Sequence, residues 1–306
     1  MLKRILPNWF VGVVATLVLL ANTLIWGTVV LLFGIVKLVL PLKPISNALH
    51  FGYYQWCRGN ALGLRIGCGK IHVEVDGQVS KQGWYLLMAN HLSWLDIVVL
   101  SAVDVLPAPK FFLKDELKYV PFIGSGAWAL GMPFMKRATK AQIAKNPKLK
   151  GLDVERTKAS CKAFRDYPTT IINFVEGTRF TARKHSQQNS PFRHLLKPKA
   201  GGVAFALEVL ASQLDGILNT TLIYDTPDQH ICRSFMQGRL NGVRVAIAQR
   251  TMDSVPVGNY QLDKEYRVQF QHYVNSLWQE KDAFIEAQNA VLVNKMPAVH
   301  KELEQL

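Results

Sequence analysis

The feature that most constrains this chain is a run of 27 residues without a charge, from Phe10 to Val36. As a helix rising about 1.5 Å per residue, the run would extend about 40 Å, which exceeds the roughly 30 Å hydrocarbon core of a bilayer. A cleavable signal peptide has a shorter apolar core, followed by small residues at its cleavage site. The run therefore predicts a membrane-anchoring helical segment within residues 1–66.

Two arrangements of this anchor fit the sequence. One is a single tilted helix that crosses the bilayer, and the other is a re-entrant hairpin of two shorter helices with a bend near Asn22–Thr23 or Gly27. The alternative of a buried hairpin in a soluble protein is disfavoured by the length of the uncharged run. Positive residues flank the run on both sides: Lys3, Arg4, Lys37 and Lys43. These flanks favour cytoplasmic ends, so we expect an inner (cytoplasmic) membrane protein whose main domain faces the cytoplasm.

Positive charge is concentrated in one part of the 306-residue chain. Its formal net charge is +14, and residues 136–199 alone hold 16 Lys or Arg against four Asp or Glu, a net +12. Such a segment favours an anionic partner: a lipid headgroup, a phosphorylated substrate or a nucleic acid. None of the four cysteines forms a C-x-x-C pair, so we expect reduced thiols and no disulfide framework or zinc site: Cys57, Cys68, Cys161 and Cys232.

Beyond the anchor, strand patterns alternate with helical patterns. Apolar or alternating segments predict strands at 71–75, 84–89, 169–175, 218–224 and 243–247. Helices are expected at 45–66, 93–103, 153–167 and 202–213, with one or two amphipathic helices between 260 and 303. Alternation of this kind is typical of an α/β core.

A histidine and an aspartate follow the strand predicted at 84–89. The carboxyl end of a strand in an α/β sheet is where ligands usually bind. A neutral imidazole such as that of His91 can take a proton from an attacking hydroxyl, and a carboxylate such as that of Asp96 can hold the ring in the required tautomer. On one regular helix the two side chains would point about 140° apart, so they can meet only if His91 precedes the helix.

The same residues allow a purely structural role. Ser93-x-x-Asp96 has the spacing of a helix capping box, in which the carboxylate of Asp96 accepts a backbone N–H. The spacing alone leaves both roles open. Because Ser93 fits the cap, we do not expect it to be a nucleophile.

A second group of polar residues, Glu176-Gly177-Thr178-Arg179, follows the strand predicted at 169–175. Gly177 allows a ligand close to the backbone, Thr178 offers a hydroxyl, and the guanidinium of Arg179 matches a phosphate. The alternative is a surface ion pair between Glu176 and Arg179, adding about 0.2–0.5 kcal/mol. The surrounding positive charge favours phosphate binding.

Two further regions place cations beside apolar and aromatic residues. They are 111–117, which is followed by the apolar segment 121–124, and 131–137. Such surfaces suit a bilayer, or a cleft for a phosphate that carries an acyl tail. The alternative is that the long cationic side chains only cover the edge of a core.

Taken in order, these segments resemble the lysophosphatidic acid acyltransferase (1-acylglycerol-3-phosphate acyltransferase) family. The resemblance covers residues 84–225 and rests on Asn90-His91-x4-Asp96, Lys114-x2-Leu117-x3-Pro121-x2-Gly124, Gly131 to Arg137, and Phe174 to Arg179. Lys136 before Arg137, Val175 before Glu176 and a last block without proline depart from the common pattern. The last block and residues 180–196 are more similar to the lysocardiolipin-acyltransferase-like branch.

The resemblance implies a fold and an activity. The fold would be a mixed α/β sheet flanked by helices, with the anchor at 1–66, a catalytic domain at 67–250 and C-terminal helices at 251–306 packed on it. The activity would be transfer of a fatty acyl chain from acyl-CoA or acyl carrier protein to the hydroxyl of a lysophospholipid, most simply lysophosphatidic acid. Membrane lipids and these substrates are the expected partners, with no cofactor, metal or nucleic acid.

The resemblance also implies residue roles. His91 would be the general base and Asp96 its orienting partner in a direct attack without an acyl-enzyme. Lys114, Arg137 and Arg179 would bind the phosphate of the acceptor, and Glu176, Gly177 and Thr178 would shape that pocket. Two alternatives remain: an acyltransferase for another lysophospholipid or for glycerol-3-phosphate, and a membrane-tethered nucleic-acid-binding protein that uses the segment 136–199.

Overall fold

The structure, a computed structural model, describes most of the chain. It covers residues 5–69, 71–132, 134–135, 167–226 and 230–303, together with Lys3 and Phe164. Arg137 and Cys161 lie outside these residues, as does the helix predicted at 153–167 except for Phe164 and Tyr167.

Two long helices begin the described structure, α1 (Asn8–Val39) and α2 (Lys43–Cys68). They fold back on each other through a short turn and pack side by side. Helix α1 continues without interruption through Asn22 and Gly27, so the bend required by two short helices within the apolar run is not found. The hairpin is formed instead by α1 and the helix predicted at 45–66.

The reason that Asn22 does not break α1 is that α2 satisfies its side chain. Its amide donates to the Trp56 carbonyl at 2.9 Å and to Asn60 Oδ1 at 3.0 Å. The amide of Asn60 then donates to Ser101 Oγ at 2.8 Å, which links both helices to the following domain. A Cβ atom at Gly59 would lie only 1.9 Å from Asn22 Oδ1, so the helices approach this closely because α2 carries glycine there.

Helix α1 has one packed face and one exposed apolar face. By length and composition it is able to cross a membrane, and it is the one such helix among the described residues. Large apolar side chains lie exposed along its length: Trp9, Phe10, Leu17, Leu20, Leu24, Ile25, Leu32, Leu38 and Val39. A continuous apolar strip of this size indicates a surface that contacts a membrane or another protein.

The α/β domain is built on a mixed six-stranded sheet. Its strands are β1 (Ile71–Asp76), β2 (Trp84–Ala89), β3 (Pro109–Phe111), β6 (Thr169–Phe174), β7 (Gly216–Asp225) and β8 (Gly242–Arg250), in the spatial order β1-β8-β7-β2-β6-β3. All pairs are parallel except β7 with β8. Strands β4 (Leu113–Lys114) and β5 (Phe134–Met135) form a separate parallel pair. The five predicted strands are confirmed, whereas β3, β4 and β5 are too short to produce a periodic pattern.

Helices cover both faces of this sheet. They are α3 (Leu95–Ser101), α4 (Ile123–Ala129), α5 (Ala182–Gln188), α6 (Gly201–Leu210), α7 (Ile231–Met236) and α8 (Lys264–Leu303). The mixed α/β fold expected from the sequence is confirmed. Helix α3 begins at Leu95, two residues later than predicted, and this delay leaves His91 in the turn between β2 and the helix.

Strand β2 separates two apolar cores. Tyr85, Leu87 and Ala89 pack with residues of α2, α3 and α4 on one face, and Leu86 and Met88 pack with α6 and α8 on the other. Because β2 and β6 are parallel and Ala89 pairs with Phe174, the two strands end at the same edge. The residues that follow them are therefore neighbours.

Candidate functional site

A buried asparagine determines how the chain leaves β2. The side chain of Asn90 donates to the Leu222 carbonyl at 3.0 Å and accepts the Leu222 N–H at 2.9 Å. These two hydrogen bonds attach the end of β2 to β7, as a backbone pairing would. The chain then turns sharply, and His91 is presented at the edge of the sheet.

His91 and Asp96 are in direct contact. Nδ1 of His91 lies 2.7 Å from Oδ2 of Asp96, with the imidazole 17% exposed and the carboxyl fully buried. A carboxylate on Nδ1 favours the tautomer in which Nδ1 carries the proton and Nε2 has a free lone pair. Among the described residues, Nε2 has no hydrogen-bond partner.

The carboxylate of Asp96 also caps the turn before α3. Its Oδ2 accepts the backbone N–H groups of Leu92 at 2.7 Å and Ser93 at 2.9 Å. The capping role and the contact with His91, which the sequence left as alternatives, are therefore combined in one carboxylate. The hydrogen bonds from the backbone fix its position relative to the ring.

A tyrosine that the sequence analysis did not single out completes this arrangement. The hydroxyl of Tyr224, at the end of β7, donates to Asp96 Oδ1 at 2.6 Å. Burial, together with the negative charge of Asp96, raises the pKa of Tyr224 well above its ordinary value, so the hydroxyl remains a donor. The two residues are 128 positions apart, and no local pattern connects them.

Aromatic rings hold the other side of the imidazole. The ring of Phe174 stacks on His91 with centroids 4.0 Å apart and planes inclined by 16°. Phe111 stacks in turn on Phe174, with centroids 6.4 Å apart. The Phe180 N–H donates to the His91 carbonyl at 2.7 Å, which joins the loop after β6 to the loop after β2.

Glu176 is buried behind the loop that carries Arg179. Its carboxyl is fully buried and lies near Lys281 and Trp278 of α8, beneath the loop. Burial raises its pKa to about 8, an effect opposed by the charge of Lys281. Gly177 turns the chain with a φ of 70°, a conformation that glycine adopts without strain. The buried Glu176 therefore supports the loop, and its part in shaping the phosphate pocket stays a prediction.

Arg179 lies on the outer side of this turn. Its guanidinium is exposed and stacks over the Trp94 ring, 5.5 Å from the centroid, so it does not form the predicted alternative ion pair with Glu176. A further cation, Lys184 of α5, donates to Thr178 Oγ1 at 2.7 Å and to the Arg179 carbonyl at 3.0 Å. Lys184 was not singled out because it is one of many cations in its segment.

The remaining predicted phosphate ligands are less well placed by the structure. Lys114 belongs to β4, where it pairs with Met135 of β5. Arg137, two residues after that strand, lies outside the described residues. The structure thus brings together His91, Asp96 and Arg179, and leaves the roles of Lys114 and Arg137 as predictions.

An apolar cavity adjoins the stacked rings that end at His91, because Phe111 lies in its wall and stacks on Phe174, which stacks on His91. It has a volume of about 200 Å³ and is lined by residues of α1, α2, α3 and α4. Trp94 and Phe111, which contact the surroundings of His91, form one part of its wall, while Gly126 and Phe122 lie in another. A base, an exposed cation and an apolar cavity in one place suit a substrate with a hydroxyl, an anionic group and a hydrocarbon chain.

Comparisons with known proteins agree with this description. The chain is 27% identical to 1-acyl-sn-glycerol-3-phosphate acyltransferase 3 from Arabidopsis thaliana over 208 residues. The match covers 62% of this chain and 52% of that relative. The human 1-acyl-sn-glycerol-3-phosphate acyltransferase gamma is 26% identical over 218 residues, 67% of this chain and 53% of the relative. The chain thus matches about half the length of these curated relatives. Its closer similarity to the lysocardiolipin-acyltransferase-like branch stays a prediction.

A solved structure supports the fold. The PlsC acyltransferase of Thermotoga maritima superposes with a TM-score of 0.50, covering 90% of this chain and 96% of PlsC at 15% identity. The acyltransferase family model matches residues 70–228, more than half of the chain, and this segment contains His91, Asp96 and Arg179. The chain described here therefore belongs to the acyltransferase family.

Proposed function

We propose that the chain transfers a fatty acyl group from acyl-CoA or acyl carrier protein to the free hydroxyl of lysophosphatidic acid, giving phosphatidic acid. The observation that carries this proposal is the 2.7 Å contact between His91 and Asp96 beside an apolar cavity. The names of the relatives support the choice of acceptor. Family membership favours this function over nucleic-acid binding.

The proposed reaction needs one proton transfer. Nε2 of His91 takes the proton of the acceptor hydroxyl as its oxygen attacks the thioester carbonyl, and the thiol of the donor leaves as the tetrahedral intermediate collapses. Asp96 stabilises the imidazolium through Nδ1, and Tyr224 and two backbone N–H groups keep Asp96 in place. The leaving thiolate recovers the proton from His91. No acyl-enzyme is formed.

Binding of the acceptor is assigned to the cations at the same edge. Arg179 would contact the phosphate, and Lys184 would hold the Thr178–Arg179 backbone in position through its two hydrogen bonds. Lys114 and Arg137 are proposed as further phosphate ligands on the strength of the resemblance alone.

The test of this function is product analysis with the full-length protein and a panel of lysophospholipids and glycerol-3-phosphate, each with acyl-CoA and with acyl carrier protein. We expect phosphatidic acid, formed from lysophosphatidic acid, to be the fastest product.

Arg179→Ala should raise the acceptor KM about 10–100-fold, as expected for loss of a charge-assisted hydrogen bond. Arg183→Ala, an exposed arginine four residues later, is the matched control and should leave KM within about twofold. Faster acylation of another acceptor would revise the substrate, and an unchanged KM in Arg179→Ala would remove that residue from the site.

The cavity beside His91 is proposed to hold the acyl chain of the donor. A Cβ atom at Gly126 would lie 3.8 Å from Val30 Cγ1, an ordinary contact distance, and the two methyl groups of Gly126→Val would narrow the cavity. We expect this variant to shift donor preference toward chains that are shorter by about two to four methylenes, at roughly 0.8 kcal/mol each. Gly242→Val places the same side chain in open space on β8 and should keep the original preference. An unchanged chain-length profile in Gly126→Val would contradict the assignment.

Membrane association is proposed to occur along α1 and not across it. This helix contacts the α/β domain at Gly12, Gly27 and Gly34, against Met236, Phe122 and Ala129. These contacts span about 33 Å at 1.5 Å per residue, so a crossing helix would draw the folded domain into the bilayer with it. An arrangement in the membrane plane, with the exposed apolar face in lipid, avoids this cost. Residues 1–66 would thus anchor the protein to the inner (cytoplasmic) membrane, and the catalytic domain would lie on its cytoplasmic side.

This arrangement makes a specific prediction for vesicle binding. Leu24 is 52% exposed on the outer face of α1, and Leu24→Glu should weaken binding to neutral vesicles at least about tenfold, because a carboxylate is costly in hydrocarbon. Val268→Glu, at a residue 59% exposed on α8, introduces the same charge far from α1 and should bind as the wild type does. Equal binding of the two variants in a co-sedimentation assay would exclude the outer face of α1 as the lipid contact.

A further inference from the structure

A large aromatic side chain, that of Trp94, is left exposed at the same edge of the sheet as Arg179. Trp94 is the last residue before α3, and its carbonyl accepts the Ile97 N–H at 3.3 Å, so the start of the helix holds its backbone in place. The residue is nevertheless 45% exposed. Proton transfer by His91 and Asp96 makes no use of this ring, and its exposure leaves it open to contact with a neighbouring loop.

The fold brings Trp94 and Arg179 together from two different loops. Strands β2 and β6 end as a pair, and Trp94 and Arg179 each lie five residues beyond the paired ends. The Phe180 N–H donates to the His91 carbonyl at 2.7 Å, which ties the two loops to each other next to Arg179. The guanidinium of Arg179 then lies over the indole ring, 5.5 Å from the ring centroid.

The contact with the ring suits an arginine that has to bind an anion. In the part of the chain that the structure describes, no carboxylate pairs with the guanidinium of Arg179. An exposed arginine that is not held samples many rotamers and loses this freedom when it binds a ligand. The attraction of a cation to a ring face uses no hydrogen-bond acceptor, so the N–H donors of Arg179 remain available for phosphate oxygens. A carboxylate in place of the ring would compete with the phosphate for those donors.

We propose that Trp94 is a positioning residue for the acyl acceptor, whose ring holds Arg179 in place to receive the phosphate of the lysophospholipid. This inference rests on the proposed function, because it takes Arg179 as the phosphate ligand. Trp94 also belongs to the wall of the apolar cavity, so it lies between the cation that would bind the phosphate and the space that would hold the acyl chain. Positioning of this kind lowers the acceptor KM and leaves proton transfer at His91 unchanged.

The test is steady-state kinetics of the full-length protein with varied lysophosphatidic acid and saturating donor. Trp94→Leu removes the ring but keeps an apolar side chain, and it should raise the acceptor KM about five- to tenfold with kcat within about twofold. Trp94→Phe keeps an aromatic face and should stay within about twofold of the wild type. Trp128→Leu is the matched control, because Trp128 is 49% exposed on α4 and lies outside the wall of the apolar cavity. Its acceptor KM should also stay within about twofold.

A double variant shows whether the ring acts through Arg179. In the Arg179→Ala background the ring has no guanidinium left to hold, so Trp94→Leu should change the acceptor KM by less than about twofold. A further five- to tenfold rise in the double variant would overturn the proposal, since Trp94 would then act independently of Arg179, for example through the cavity wall.

The single variants separate this inference from the proposed function. A raised KM in Arg179→Ala with an unchanged KM in Trp94→Leu would overturn the role of Trp94 alone. An unchanged KM in Arg179→Ala would remove the phosphate contact and the role of Trp94 with it. Equal rises in Trp94→Leu and Trp94→Phe would exclude the ring face as the cause and also overturn the proposal. Thermal unfolding verifies that each variant is folded, and Trp94→Met replaces Trp94→Leu under the same criteria if the leucine variant unfolds.

Discussion

Replacing His91 with alanine is expected to lower turnover by about 10²–10⁴-fold, the usual contribution of a positioned general base. The lysophospholipid hydroxyl would then have to lose its proton to water, while the acyl cavity and Arg179 would still bind both substrates. We therefore expect kcat to fall much more than either KM changes. The measurement is steady-state kinetics of the purified full-length protein with varied acceptor and donor.

Structure should be little affected by this substitution. The imidazole is partly exposed and contributes one side-chain hydrogen bond, to Asp96, while the cap of α3 by Asp96 remains. His194→Ala is a comparison variant, because His194 is also partly exposed and makes a side-chain hydrogen bond, to Glu286 of α8. Near-normal turnover of His91→Ala in membranes would refute the general-base role, and a trapped acyl-enzyme would refute direct attack.

Replacing Asp96 with asparagine is expected to have a comparably large effect, about 10²–10⁴-fold on kcat, by analogy with orienting carboxylates in catalytic triads. The amide oxygen can still accept from Leu92 and Ser93, so the turn before α3 should persist. With its oxygen in the Oδ2 position, the amide directs its N–H₂ toward the Tyr224 hydroxyl, which can no longer donate there. The substitution removes the negative charge that stabilises the imidazolium, so His91 becomes a weaker base.

The double variant separates a shared role from two independent roles. If His91 and Asp96 act as one unit, His91→Ala combined with Asp96→Asn should be no slower than His91→Ala alone, because the carboxylate has no ring left to orient. Losses that multiply would show that Asp96 contributes separately. Asp104→Asn is a suitable control, since Asp104 is exposed and its ion pair with Lys81 lies on the surface.

The comparison of sequence and structure is most informative at the His91 site. The spacing of His91 and Asp96 on its own allowed a helix cap as readily as a catalytic pair. The structure contains both, because Asp96 Oδ2 accepts two backbone N–H groups and also contacts His91 Nδ1. The helix cap and the contact with His91 are compatible because one carboxylate oxygen of Asp96 can accept several hydrogen bonds.

Glu176 shows what a motif leaves undetermined. The sequence places Glu176 beside Gly177, Thr178 and Arg179. In the structure the Glu176 carboxyl is buried near Lys281, while Arg179 lies outside on Trp94. A residue more than 100 positions away thus determines what Glu176 contacts.

The sequence by itself determined the elements whose signals are local. The uncharged run predicted α1, alternating and apolar segments predicted the strands that carry His91 and Arg179, and the ordered motifs indicated the acyltransferase family. Only the tertiary structure decided that α1 is one continuous helix and that Tyr224 supports Asp96. The physical reason is that hydrophobic periodicity depends on neighbours within a few residues, whereas these contacts depend on how strands and helices distant in the chain pack together.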